Sequence, residues 1–200
     1  MPAHKFDPKH AAKLNDPKRR SIEDPDRVFN TLALHSGMTV VDLGAGSGFY
    51  TRPLSARLGG KVFACDVSEQ MLSRLRSDLS QVERERIEVI RIGEKALPFA
   101  TGGVDVVLMA NVLHELEHPG TMLAEIQRIV NAAGWVLVVD WKKEDMPYGP
   151  PTHARLGVED IVRFLNRAGF TNIRQEPILT CHNLVLAQGT SGGGGTKGWS

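Results

Sequence analysis

Hydrophobic positions along the chain alternate between two spacings. Continuous runs of Val, Ile, Leu and Met fall at about 39–43, 61–66, 87–92, 104–109 and 134–140. Such runs are expected of parallel strands buried on both faces. Between them apolar residues return every three or four positions: Tyr50, Leu54 and Leu58 within 48–58, and Met71, Leu72, Leu75 and Leu79 within 68–80. Met122, Ile126, Ile129 and Val130 do so within 120–131, and Val158, Ile161, Val162 and Leu165 within 158–168. Each set predicts a helix with one buried face. Ser68 is placed to cap the second and Gly169 to close the last. Asp24-Pro25 opens an earlier helix carrying Val28, Phe29 and Leu32 and ending near Gly37. This alternation predicts an α/β protein with a doubly wound sheet. Two more strands are expected at about 172–176 and 182–187.

The flanks read differently. Residues 1–23 are polar and basic, with Lys5, Lys9, Lys13, Lys18, Arg19 and Arg20, and Asp-Pro-Lys occurs at 7–9 and again at 16–18. By composition this is a solvated arm. Residues 24–188 form the expected domain, and the glycine-rich stretch 189–200 is expected to be a flexible tail. Two hundred residues with 42% hydrophobic content suit one core. A formal charge of +1 makes no case for a nucleic-acid or membrane partner. No apolar run is long enough to span a bilayer, and the polar N-terminus does not read as a secretory signal. Two cysteines, Cys65 and Cys181, suggest no disulfide framework, so a reduced, cytoplasmic setting is expected.

Chemistry concentrates where the first strand ends. Val40-Val41-Asp42-Leu43-Gly44-Ala45-Gly46-Ser47-Gly48 is a buried strand that ends beside an acid and turns through three glycines. Alternate glycines free the backbone to take positive φ and let a ligand lie against the main chain. Open α/β sheets bind ligands at that end of their strands. A dinucleotide fingerprint would need glycine where Phe49 stands, and no Gly-Lys-Ser/Thr phosphate loop is present. Asp42 beside the turn suits a cationic ligand better than a pyrophosphate. The second strand also ends in an acid, Asp66, 24 residues after Asp42. That acid is placed either to accept both hydroxyls of a ribose or to favour the helix start at Ser68.

These motifs resemble the class I S-adenosylmethionine-dependent methyltransferases, over about residues 36–188. The resemblance is to the small-molecule branch that includes ubiquinone/menaquinone and arsenite methyltransferases. Asp42 to Gly48 matches the first motif and Cys65-Asp66-Val67-Ser68 the second. Gly93-Glu94-Lys95-Ala96-Leu97-Pro98-Phe99 matches a Gly-Asp-Ala-x-x-Leu-Pro-Phe loop with Glu for Asp, and Asp105 to His114 matches the fourth strand. The resemblance implies a Rossmann-like, seven-stranded, mostly parallel sheet with an antiparallel C-terminal hairpin strand. It implies S-adenosylmethionine as cofactor, released as S-adenosylhomocysteine. Gly44, Gly46 and Gly48, next to Asp42, would approach its methionine part, and Asp66 with Val67 its ribose side. Glu94 would lie near the adenine and Asn111 would offer its backbone to the amino-acid end. The arm would fold over the cofactor, with Phe6 the residue expected to dock. Arsenite methyltransferases hold arsenic with several cysteines, which two cysteines here do not match.

His114-Glu115-Leu116-Glu117-His118 fits the zinc-protease pattern His-Glu-x-x-His, whose chemistry needs both histidines on one face of a regular helix. Here the segment leaves a strand directly and Pro119 turns His118 away from helical geometry, so no metal site is expected. His114 alone is a candidate proton acceptor in the acceptor cleft, or else a residue that shapes the pocket. Tyr50 is a candidate at the transfer site, with packing against the arm as the rival role. Trp141, Lys142 and Tyr148, following the fifth strand, are candidates for substrate contact. The expected activity is in-line methyl transfer to a small-molecule acceptor. The rival is a binding or regulatory module that keeps the cofactor without turnover.

Overall fold

The structure is a computed structural model and describes residues 19–147 and 149–190. Phe6, the Asp-Pro-Lys pair, Tyr148 and the tail from 191 lie outside the described residues.

Two short helices, α1 (Arg19–Ile22) and α2 (Pro25–Phe29), precede the sheet. The order is then β1 (Val40–Leu43), α3 (Thr51–Leu58), β2 (Val62–Asp66), α4 (Glu69–Asp78), α5 (Gln81–Arg86), β3 (Ile87–Arg91) and β4 (Val104–Ala110). A 3-10 turn at Leu113–Glu115 leads to α6 (Pro119–Ile129) and β5 (Val130–Trp141). After a second 3-10 turn at Thr152–Ala154 come α7 (Val158–Arg167), β6 (Thr171–Gln175) and β7 (His182–Gln188). The seven strands lie in the order β3-β2-β1-β4-β5-β7-β6. Pairings from β3 to β5 are parallel, and β7 runs antiparallel to both β5 and β6. The doubly wound sheet and its C-terminal hairpin thus match the reading of the sequence.

Alternation along the strands sorts residues between two helical layers. Val41, Val107, Met109, Val136 and Val138 face one way, onto Met122, Ile126, Ile161 and Leu165 of α6 and α7. Val40, Val106, Leu108, Leu137 and Val139 face the other, onto Val28, Phe29, Leu54 and Leu58 of α2 and α3. Asp42 shares the parity of Val40, so its carboxylate points to the α3 side.

Several elements differ from the periodicity in length. α2 stops at Phe29 rather than running on toward Gly37, and α3 starts at Thr51 because Gly48 holds a φ of +86°. β5 begins at Val130, paired with Val104 ahead of a register shift. α5 buries none of its residues and therefore carries no apolar signal. Its sign in the sequence is a capping box, in which Ser80 and Glu83 bond each other's backbone N–H groups. Beyond β7, Gly189 N–H still donates to Gly134 C=O at 2.9 Å, and Thr190 Oγ1 accepts from Gln127 at 2.6 Å. No helix among the described residues is long and apolar enough to cross a membrane.

Candidate functional site

Parallel register brings the carboxyl ends of β1, β2, β4 and β5 to one edge, with Leu43 beside Cys65 and Met109. The turn that leaves β1 there is left-handed at Gly44, Gly46 and Gly48. A side chain at Gly44 is excluded twice: φ is +76°, and a Cβ would lie 2.2 Å from Val112 Cγ2. Gly44 and Ala45 donate their N–H groups to Cys65 C=O, while Gly46 N–H donates to Asp66 Oδ2 at 2.9 Å. The other Asp66 oxygen accepts from Ser68 N–H at 2.8 Å, and Ser68 in turn caps α4 at Met71. Asp66 therefore ties the glycine turn to the end of β2 while each oxygen keeps lone pairs to spare. Val67, next to it, is 47% exposed, which is unusual for a large apolar side chain in this protein.

Asp42 is buried and accepts from Thr51 Oγ1 at 2.6 Å. Burial pushes its pKa up to about 6, with the Thr51 bond resisting and the Asp66 charge assisting. Glu94 lies exposed on the loop after β3. That loop is pinned by α6: Leu97 N–H donates to Glu125 at 2.8 Å, and Arg128 donates to the carbonyls of Phe99 and Leu97 at 2.9 and 3.1 Å.

Asn111 closes β4 in the left-handed region (φ +60°), with its N–H on Val139 C=O at 2.7 Å. Its Nδ2 donates to Glu23, the residue after α1, at 2.8 Å. Three residues on, His114 turns into the protein and its side chain is only 3% exposed. Its Nδ1 lies 2.7 Å from Asp140 Oδ1, and its backbone N–H donates to Asp140 Oδ2. Burial alone would lower the His114 pKa, but the bond to Asp140 and that residue's charge outweigh it and hold the pKa above the usual value. The segment 114–118 is not one helix. Leu116 is extended after the 3-10 turn, and His118 sits at the N-cap of α6 with φ −128° and ψ 69°. The two histidines of the His-Glu-x-x-His pattern therefore do not share a helical face.

Tyr50 is buried edge-on against Phe29 and Phe49. Burial and the Glu23 charge hold its phenol well above the ordinary pKa, so it stays protonated. Trp141 ends β5 opposite His182, with ring centroids 4.1 Å apart. Gly149 lays bare backbone against its indole: φ is +78° and a Cβ would come 2.6 Å from the ring. Lys142, half-buried, is anchored by its N–H on Cys181 C=O.

The structure thus gathers Asp42, Gly44, Gly46, Gly48, Asp66, Asn111, His114, Tyr50 and Trp141 at one edge of the sheet. It also adds residues the sequence did not single out: Glu23, Asp140 and His182. Asp140 had a visible signal, since it sits near the end of β5 as Asp42 and Asp66 do in β1 and β2. Glu23 had only its four-residue spacing from Arg19, which donates to it at 2.9 Å. His182 had no signal in the sequence.

A family model described as a methyltransferase domain matches residues 41–138. Demethylmenaquinone methyltransferase of Lactococcus lactis is 32% identical over 114 residues, covering 56% of this chain and 45% of that protein. Arsenite methyltransferase of Halobacterium salinarum is 28% identical over 158 residues, covering 72% of this chain and 40% of that one. The chain spans under half the length of these two curated relatives. Among solved structures, a SAM dependent methyltransferase from Aquifex aeolicus superposes with a TM-score of 0.86. It is 34% identical, and the match covers 92% of this chain and 98% of that one. On that likeness, carried across nearly the whole of both chains, the chain belongs to the S-adenosylmethionine-dependent methyltransferases of class I fold.

Proposed function

We propose that the protein transfers a methyl group from S-adenosylmethionine to a small-molecule acceptor. The observation that carries this reading is the bridge from Gly46 N–H to Asp66, which sets bare backbone at the lip of β1 against a carboxylate at the lip of β2. These residues fit the cofactor. The left-handed turn from Gly44 to Gly48 removes side chains from its path, and Asp66 retains acceptor capacity for ribose hydroxyls. Val67 would cover its sugar side, Glu94 would meet the adenine, and Asn111 would meet the amino-acid end. Bound S-adenosylmethionine supplies a methyl group already activated by the positive sulfur.

The protein's own contribution is then alignment and exclusion of water, which supply up to roughly 7–11 kcal/mol in bimolecular reactions. Asp42 places negative charge behind the turn once it is ionised. His114, oriented by Asp140, takes the proton of an O–H, N–H or acidic C–H acceptor. Tyr50 closes the transfer site from the α3 side, while Trp141, Lys142 and Tyr148 bound the acceptor. The two free, buried cysteines support a reduced, cytoplasmic setting, and burial pushes the Cys65 thiol up to about 12, which keeps it inert.

The test is a screen of quinols, phenols, thiols and amines with labelled methyl donor. Release of S-adenosylhomocysteine with transfer of label to one acceptor class is expected. Cofactor binding without transfer to any class would favour a regulatory module instead.

A further inference from the structure

Arg155 carries a charge that the reaction above does not use, yet the residue is only 3% exposed. A buried guanidinium is costly unless its N–H groups are taken up. Main-chain carbonyls take them up on both arms of the excursion that follows β5. Nε donates to Pro150 C=O at 2.7 Å, while Nη1 donates to Glu144 C=O at 2.7 Å and to Lys142 C=O at 3.4 Å. Arg155 is itself fixed in place. Its N–H donates to Thr152 C=O at 3.2 Å, and the carbonyl of Leu156 accepts from Asn183 of β7 at 3.4 Å. The planar fork of an arginine spans several acceptors at set angles, which an ammonium on a flexible stem does not.

This clamp closes around Trp141. Gly149, next to the clamped Pro150, lays backbone against the indole where a Cβ would come within 2.6 Å. The guanidinium stands 5.9 Å from the indole centroid, within cation–π range, and the His182 ring lies 4.1 Å away. Trp141 N–H donates to Asp140 Oδ1, the same oxygen that meets His114 Nδ1. The clamp, the ring and the proton-accepting pair are therefore joined through a short run of direct contacts.

We propose that Arg155 is a positioning residue for the acceptor side of the site: by tying Lys142 and Glu144 to Pro150, it holds the Trp141 ring in one orientation beside His114 and Asp140. This rests on the methyl-transfer reading above, which sets the acceptor against Trp141. A wall fixed before the acceptor arrives spares the ordering cost that a mobile ring would add on binding. The charge has a second effect. Asp140 across the sheet and Glu115 beside the ring favour a protonated His114, and Arg155 opposes them. His182, on β7, feels the same Asp140 charge from the other side. Arg155 thereby keeps His114 more readily vacant for the acceptor's proton than Asp140 and Glu115 alone would leave it.

The experiment follows the full chain by NMR, with 5-fluorotryptophan and ring-labelled histidine, and measures S-adenosylhomocysteine binding by calorimetry. Trp141, assigned through Trp141→Phe, is expected to give one sharp fluorine line. Arg155→Lys keeps the charge but loses the fork. It should split or broaden that line while moving the His114 titration midpoint by less than about 0.2 pH unit. Arg155→Met loses both, so it should disturb the line and raise the His114 midpoint by about 0.5 pH unit or more. Both variants should bind S-adenosylhomocysteine within about twofold of wild type, since the clamp stands beyond β5, away from the glycine turn. The proposal is overturned if the wild-type line is already split, if Arg155→Lys leaves it sharp and unmoved, or if Arg155→Met leaves the His114 midpoint in place. A lowered unfolding midpoint with neither signal moved would likewise overturn it, leaving Arg155 a support of the fold alone. Should Arg155→Met fail to fold, the Trp141 line of wild type and Arg155→Lys decides. Failure of the unmodified protein to bind S-adenosylhomocysteine would overturn the methyl-transfer reading instead.

Discussion

His114 and Asp140 meet across the ends of β4 and β5, with Nδ1 and Oδ1 2.7 Å apart and both side chains almost wholly buried. The carboxylate is fixed further by N–H groups of His114 and Trp141. The tautomer and direction of the ring are therefore set before any ligand arrives, as with histidines that move protons in catalytic sites.

That pair makes a signed prediction. The His114 pKa lies above its unfolded value near 6.5, so the protonated pair stabilises the fold fully below about pH 6.5. This contribution disappears as pH rises through the folded pKa. Denaturant unfolding of wild type and His114→Gln across pH 5–9 should show the largest difference at the acid end. Asp140→Ala, which leaves the histidine buried without its partner, should cost about 3–5 kcal/mol. A gap between wild type and His114→Gln that widens with rising pH would contradict the assignment.

Asp42 behaves in the opposite sense to a paired surface carboxylate. Its folded pKa of about 6 exceeds the ordinary 3.8, so ionisation opposes folding as pH rises between those values. Asp42→Asn, which can still accept from Thr51, should gain on wild type between pH 4 and 7, by up to about 3 kcal/mol. Affinity for the positively charged methyl donor should fall as pH drops through 6, and affinity for S-adenosylhomocysteine should fall less. Equal pH profiles for the two ligands, by calorimetry, would remove Asp42 from the site.

Gly44→Ala forces a Cβ into Val112 at a positive φ. Left-handed strain and overpacking together should cost about 2–4 kcal/mol. A loss under about 0.5 kcal/mol in urea unfolding would mean that the turn relaxes and is not the rigid cradle described.

Glu125 holds the Glu94 loop through Leu97 N–H. Glu125→Ala should speed hydrogen exchange at the Leu97 amide by about tenfold or more, while the amides of β4 keep their protection. An unchanged Leu97 rate would show that the loop is held by other contacts.

The inner strands were legible because strands buried on both faces write themselves as continuous apolar runs, whereas β6, mostly exposed, came with the hairpin that the resemblance implies. All seven appear within a few residues of their expected places, with β5 starting earliest. The glycine turn and its two strand-ending acids were legible for a related reason, since backbone conformation and strand ends leave local marks. α5 was not, because a helix that buries nothing has no period to read, and only its Ser80–Glu83 box announced it. The Glu23 cluster was illegible on different grounds. Its contact with Asn111 spans 88 residues, and no local spacing records such a meeting. Lone residues such as His182 acquire meaning only once β7 slots between β5 and β6.

The whole account turns on what fills the crevice between the glycine turn and Asp66. A crystal structure grown with S-adenosylhomocysteine tests it most directly. Density for that ligand along residues 44–48, with its ribose hydroxyls on the Asp66 carboxylate, is the predicted result. A crevice left bare at saturating ligand, or one occupied by a nicotinamide dinucleotide in preference, would contradict it.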